Sequence, residues 1–172
     1  MSRSRVRLDR RAHGYVEQSG GGLVDAYAAH PPSGVPTDLF GLPFGDGLFA
    51  GTAVGVATFL DALFIRRTVV DPSSLDLMTT TTPQAAAAVG EVHDRRWPTY
   101  GMGSFRVDFA GGTWRGHRGT YGGFNVLAMS DVERRATLAV LTNLMAEEAT
   151  SVPFWRALVE ALDPRPGSGL NS

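Results

Sequence analysis

The segment from Thr99 to Thr142 constrains the fold of this chain more than any other. Apolar residues alternate there at Phe105, Val107 and Phe109, with Met102 upstream, and alternation is the mark of a half-buried strand. Gly111-Gly112 marks a turn, and Thr113 to Gly116 leads into His117. Phe124 to Met129 reads as a short apolar strand and Asp131 to Arg134 as a charged turn. Ala136 to Thr142 (ATLAVLT) is more continuously apolar, so burial on both faces is expected. Strands joined by such short turns pair antiparallel, since a parallel pair needs a long crossover. The expectation is an α+β fold with an antiparallel sheet of about three strands.

A helix should close the chain. Pro153 sits near its start, and Phe154, Trp155, Leu158, Val159 and Leu162 would form one apolar stripe that packs on the sheet. The first half is loop-rich and helical. Gly14 to Gln18 is a short extended stretch broken by Gly20-Gly21-Gly22, and Asp25 to Phe49 is an irregular loop rich in Pro and Gly. Thr52 is the expected N-cap of a helix carrying Ala53, Val56, Ala57, Leu60, Leu63 and Phe64 on one face. Asp71-Pro72 marks a second helix start, with Asp as cap and Pro at the first helical position; this helix is short, Ser73 to about Met78. The organisation expected is a basic N-terminal tail over 1–13, one domain over 14–163 and a flexible tail over 164–172. Five arginines lie between Met1 and Arg11, and no apolar stretch of a signal peptide follows them.

Composition narrows the chemistry. The 172 residues include no lysine and no cysteine, so all 16 basic side chains are arginine. A P-loop, a Schiff-base or PLP lysine and a lysine general base are excluded. So are thiol nucleophiles, disulfides and thiolate metal sites. The net charge of −1 gives no general pull toward nucleic acid or an anionic surface. No apolar run is long enough for a membrane-spanning helix. Gly45-Asp-Gly47-Leu-Phe-Ala-Gly51 precedes a helix, but the residues before it form no strand, so it does not read as a dinucleotide loop. No cofactor is expected.

Of the four histidines, His13, His30, His93 and His117, no two stand at metal-ligand spacing, and no metal site is expected. No Gly-x-Ser-x-Gly nucleophile elbow occurs. His117 differs from the others because it ends a strand within Gly116-His117-Arg118-Gly119-Thr120. Gly119 would let a ligand approach the strand backbone. An imidazole there is either a turn residue or a proton carrier near neutral pH, and its own segment does not decide which.

The order Tyr100-Gly-Met-Gly103, Gly116-His-Arg-Gly119, Gly122-Gly-Phe124 and Ala139-Val-Leu-Thr-Asn143 resembles the C-terminal part of the serine β-lactamase-related family. That family includes class C β-lactamases, D-alanyl-D-alanine carboxypeptidases and related esterases. Arg11-Ala-His-Gly-Tyr15 and the stretch from Gly47-Leu-Phe-Ala-Gly-Thr-Ala53 to Phe59-Leu-Asp-Ala-Leu63 are similar to earlier family segments. The resemblance extends from about Arg11 to about Leu162. It implies an antiparallel sheet with flanking helices meeting a helical region, with the active site between them. It also implies acyl transfer through a serine ester, on a β-lactam, a D-Ala-D-Ala peptide or a small ester. His117-Arg118-Gly119 matches the family's third motif, Lys-Thr-Gly or His-x-Gly. By that match His117 would move a proton or orient the substrate, and Gly119 would leave room for it. The Thr120 amide would be one half of an oxyanion hole, where losing one donor costs about 2.7–4 kcal/mol. Arg118 and Tyr121 would face the substrate. Arg118 stands where many relatives have a small residue, so β-lactam preference is not carried over.

The family's first two motifs are missing. Ser-x-x-Lys cannot occur without lysine, and none of the four tyrosines begins Tyr-x-Asn. In the family both motifs precede the segment that resembles Arg11 to Tyr15, so the chain is expected to begin after them. The nucleophile is then absent, and the isolated chain is expected to be inactive. An exposed sheet edge and an uncovered apolar face would follow, with poor solubility or a partner requirement. Three alternatives stay open: a split enzyme completed by a partner chain, a binding module for a peptide or cell-wall fragment, and a gene fragment. The family usually works outside the cytoplasm, but the residues fix no compartment.

Overall fold

The computed structural model describes residues 12–26, 51–85, 99–146 and 151–162. These fall into two compact units. The larger takes described residues from 51–118, 126–140 and 151–162; the smaller takes those from 12–26, 119–125 and 141–146. Residues 1–11 of the N-terminal tail, nearly all of the Pro/Gly loop, His30, His93 and the C-terminal tail lie outside the described residues.

The larger unit begins with helix α1, Ala53–Leu60, and the capping expectation holds: the Thr52 side chain accepts the Gly55 N–H. The helix then widens into a π-helical turn, Asp61–Ile65. Helix α2, Pro72–Thr79, starts as its sequence predicts, with Asp71 as N-cap accepting the Ser74 N–H and Pro72 in the first turn. The hydroxyls of Ser73 and Ser74 also donate to Asp71, and together these bonds hold its carboxyl well below the usual range.

The main sheet contains β3 (Thr99–Tyr100), β4 (Phe105–Phe109), β5 (Gly112–Tyr121), β6 (Phe124–Asp131) and β7 (Ala136–Thr142), in that spatial order. The pairs β3–β4 and β4–β5 are antiparallel. Five strands replace the three expected, partly because Thr99–Phe109 is not one strand. It breaks at a turn where Gly103 has φ +82°, and β3 folds back on β4 with Tyr100 opposite Phe105. Met102, expected to point into the core, therefore sits in the turn and is exposed. The β5–β6 connection is Gly122-Gly123, with φ +56° and +84°. Two consecutive positive values suit a tight hairpin turn, and glycine takes them without steric cost.

Side chains alternate across this sheet and build a core on each face. On one face Phe105, Val107, Trp114, Leu127 and Met129 pack with Trp155 and Val159 of helix α3, Ser151–Leu162. On the other, Ala128 packs with Leu60, Leu63, Phe64 and Leu75 from α1, the π-helical turn and α2. The sequence suggests an uncovered apolar face; among the described residues both faces of the main sheet carry helices. Strand β7 was expected to be buried on both faces. It touches both cores, through Leu138 and Val140 on one side and Ala139 on the other. It is nevertheless only half-buried throughout, as befits the last strand in the order.

The apolar stripe of α3 is narrower than its sequence suggests. Trp155 and Val159, one turn apart, are buried, while Phe154, Leu158 and Leu162 are exposed. One helix face meets the sheet, and the three exposed residues occupy a neighbouring line. At the β6–β7 turn, buried Asp131 accepts the Glu133 and Arg134 N–H groups and pairs with Arg134 Nη1 at 2.7 Å. Arg134 Nη2 donates to the Ala110 carbonyl in the β4–β5 turn, so one guanidinium ties two hairpin ends together.

In the smaller unit, β1 (Tyr15–Glu17) pairs antiparallel with β2 (Leu23–Asp25) and parallel with β8 (Leu144–Met145). The glycines at 20–22 all have positive φ and turn the chain between β1 and β2. Gly14 and Gly123 pass so closely that a Cβ on either would strike the other's backbone. No helix among the described residues is long and apolar enough to cross a membrane.

Two stability outcomes follow. Trp155→Ala should cost about 3–5 kcal/mol in urea unfolding, and Phe154→Ala no more than about 0.5 kcal/mol. Similar losses for both would restore the wider stripe. Arg134→Ala should cost about 3–5 kcal/mol, because it leaves the Asp131 carboxylate buried without its cation. A loss below about 1 kcal/mol, the range of a surface ion pair, would show that this tie is not structural.

Candidate active site

His117, Arg118, Gly119, Thr120 and Tyr121 all lie on β5, in the less buried half of that strand. Trp114, earlier on the same strand, has no exposed surface. The strand is therefore anchored in the core at one end and open at the other. His117 and Arg118 belong to the larger unit and Gly119 to Tyr121 to the smaller, so the two groups are taken separately.

The His117 imidazole is held at both nitrogens. Nδ1 lies against the Arg118 carbonyl oxygen, and Nε2 is 3.0 Å from the Tyr100 hydroxyl. A carbonyl only accepts, so Nδ1 carries the proton. In the neutral ring Nε2 then accepts from the tyrosine O–H. The ring edges of Tyr100 and Phe105 pack around it at centroid distances of 5.8 and 5.1 Å. Tyr100 in turn packs edge-on against Phe105 at 4.6 Å. The imidazole is thus oriented by a hydroxyl and fenced by two rings, yet remains exposed. This arrangement can pass a proton through the tyrosine–histidine hydrogen bond.

Tyr100 carries no assigned role in the sequence reading, although it opens the Tyr100-Gly-Met-Gly103 segment. Its partnership with His117 depends on β3 folding back on β4 beside β5. A residue pair 17 positions apart gives no periodic signal for that.

In the smaller unit, a Cβ added at Gly119 would meet nothing within 4 Å. The strand backbone is open to approach there. Thr120 Oγ1 accepts from Asn125 Nδ2 at 2.8 Å, and buried Asn125 accepts from the Thr142 hydroxyl through its own carbonyl at 3.3 Å. The Thr120 hydroxyl oxygen is therefore engaged within the β5–β6 hairpin, while its O–H keeps the capacity to donate. Tyr121 is partly exposed. His13 lies in this unit and bonds Asp25 Oδ2 through Nδ1 at 2.7 Å. Among the described residues no group of three or more His, Asp or Glu could hold a metal ion.

No protein-family model matches the sequence, and no curated protein matches it either. Solved structures are similar in fold. The D-amino acid amidase from Ochrobactrum anthropi SV3, complexed with L-phenylalanine amide, superposes with a TM-score of 0.65 at 21% identity. That match covers 92% of this chain and 44% of the amidase. A D-stereospecific amidohydrolase from Streptomyces sp. gives a TM-score of 0.57 at 19% identity, over 89% of this chain and 39% of its own. The chain spans less than half the length of either, and at these identities the likeness is one of fold.

The hydrogen-bond pattern makes a spectroscopic prediction. Long-range ¹H–¹⁵N correlation of the neutral His117 ring should show the Nδ1–H tautomer, and Tyr100→Phe should move the Nε2 resonance. The Nε2–H tautomer in the wild type would contradict the assignment.

Proposed function

We propose that this chain is the sheet-bearing C-terminal portion of a serine hydrolase that transfers an acyl group from an amide or ester. Its His117 would occupy the edge of the substrate cleft. The observation that carries this reading is the open half of β5. There an oriented, exposed imidazole is followed two residues later by a glycine with free space above it. That is the sequence order of the His-x-Gly motif. The fold likeness to amide-cleaving enzymes supports the same chemistry. It adds amides of D-amino acids to the substrate classes suggested by the sequence: β-lactams, D-Ala-D-Ala peptides and small esters.

The roles follow from the groups available. A nucleophilic serine attacks the carbonyl carbon, and the carbonyl oxygen becomes an oxyanion that fixed N–H donors stabilise. The Thr120 amide would be one such donor. Neutral His117, with its proton on Nδ1, would take the Tyr100 hydroxyl proton at Nε2, and the phenolate oxygen left behind would take the proton released by the attacking serine. Gly119 leaves the carbonyl room to lie along the strand, and Arg118 and Tyr121 would flank it. Neither the serine nor its lysine base is supplied by these 172 residues, since no lysine is present. Any Ser-x-x-Lys pair must come from outside them, whether from the same polypeptide or from a partner chain.

The test is covalent labelling of the 172-residue chain with a fluorescent penicillin and a fluorophosphonate. Turnover of a chromogenic cephalosporin, a nitrophenyl ester and a D-phenylalanine anilide would be followed in parallel. The expected result is no label and no turnover, together with saturable binding of a D-amino acid amide that weakens about tenfold in His117→Ala, the loss expected for one good hydrogen bond. A covalent adduct on any serine of this chain would refute the assignment of the nucleophile to another segment. Unchanged binding in His117→Ala would remove His117 from the cleft.

A further inference from the structure

A second cluster of functional groups lies on the sheet face opposite Trp114. Strands β4 and β5 are registered so that Arg106 stands directly opposite Arg115. Like charges in that position destabilise a sheet, so the arrangement calls for compensation. Only part of it is present. Asp108 reaches Arg106 Nη2 at 3.3 Å, but it also accepts the Thr113 hydroxyl at 2.7 Å. Arg67 follows the π-helical turn in a left-handed conformation, φ +54°, and reaches Asp76 of α2 at 3.9 Å.

Arg115 makes no side-chain hydrogen bond or ion pair among the described residues, although it is half-buried. Burial lowers the proton affinity of its guanidinium, and the positive charges of Arg106 and Arg67 lower it further. Asp76 and Asp108 oppose that shift only in part. Arg106 Nε is also buried and has no acceptor among the described residues. A buried charged donor without a partner is costly to the fold. Arg106 and Arg115 thus stand opposite one another, and Arg115 also senses the charges of Arg67, Asp76 and Asp108.

We propose that Arg67, Arg106 and Arg115 form a binding site for a tetrahedral oxyanion, phosphate or a phosphate monoester. An arginine fork satisfies a planar carboxylate by itself. Three forks that approach from a helix end and two strands supply more donors than a carboxylate can use. A phosphate offers oxygens in three or four directions, and its charge would offset the cross-strand repulsion. The site uses none of the hydrogen bonds made by His117 and does not depend on the chain being a hydrolase.

The test is thermal unfolding and calorimetric titration of the full chain. The ligands are inorganic phosphate, glycerol 3-phosphate, acetate and chloride, at matched ionic strength. Phosphate should raise the unfolding midpoint saturably, beyond the effect of acetate or chloride. Arg115→Gln should weaken phosphate binding by at least about tenfold, the loss expected when a charged hydrogen-bonding partner is removed. It should leave the midpoint without phosphate equal or higher, because a like-charge contact is gone. Arg67→Gln, on a different element, should weaken binding as well. Tighter binding of glycerol 3-phosphate than of phosphate would support a monoester ligand, and the reverse order would support the free ion. An equal effect of acetate, no phosphate effect beyond chloride, or a phosphate effect that survives both substitutions would overturn the proposal.

Discussion

The contact between Trp114 and Trp155 is the constraint on which the larger unit depends. The two rings meet edge to face, with centroids 5.2 Å apart and planes at 85°, and both side chains are essentially without exposed surface. Among the described residues neither indole N–H has a hydrogen-bond acceptor. The pair therefore stabilises through ring packing and apolar burial, against the desolvation of two donors. It locks α3 onto the sheet near the start of β5. The rest of that strand is then determined by alternation. Trp114 faces α3, Arg115 faces the opposite way with Arg106, and His117 follows where the strand leaves the core.

Local signals were read from the sequence most fully. Thr52 and Asp71 were legible as caps because the bonds they make span three residues, and Pro72 fits only the first turn. The hairpin after Phe109 was legible because paired turn residues, Gly111-Gly112, lie between strand-like runs. Features set by distant pairing were not legible. The break between β3 and β4 needs Tyr100 opposite Phe105, and an alternating run containing Met102 fits one long strand equally well. On α3 the residues Phe154, Trp155, Leu158 and Val159 share a broad apolar arc, and only the position of the sheet selects Trp155 and Val159. Likewise, the half-burial of β7 depends on its being last in the sheet, which its own seven residues do not encode.

The candidate site divides along the same line. His117 and Gly119 were found from their segment and from the family resemblance, because strand, histidine and glycine are adjacent in sequence. Tyr100 and the three-arginine cluster were not found. Each depends on β4 bringing its neighbours into register with β5. Arg106 and Arg115 sit nine positions apart and look like ordinary solvated charges until that register places them opposite one another.

The missing lysine links these observations. Arginine keeps its charge under all ordinary conditions, and the chain has no other basic residue type besides histidine and no cysteine. Cations here can therefore anchor a carboxylate, as Arg134 does for Asp131, or attract an anion, but they cannot take part in proton transfer. Among the described residues only His13 and His117 carry an imidazole, the group suited to exchanging a proton near neutral pH. His13 is bonded to the Asp25 carboxylate and so ties the chain before β1 to the end of β2. His117 instead faces a hydroxyl and a carbonyl, both neutral, and stands exposed on the open half of β5. In a chain that carries its positive charge as arginine, the two imidazoles thus differ in what holds them, an anionic carboxylate for His13 and two neutral groups for His117.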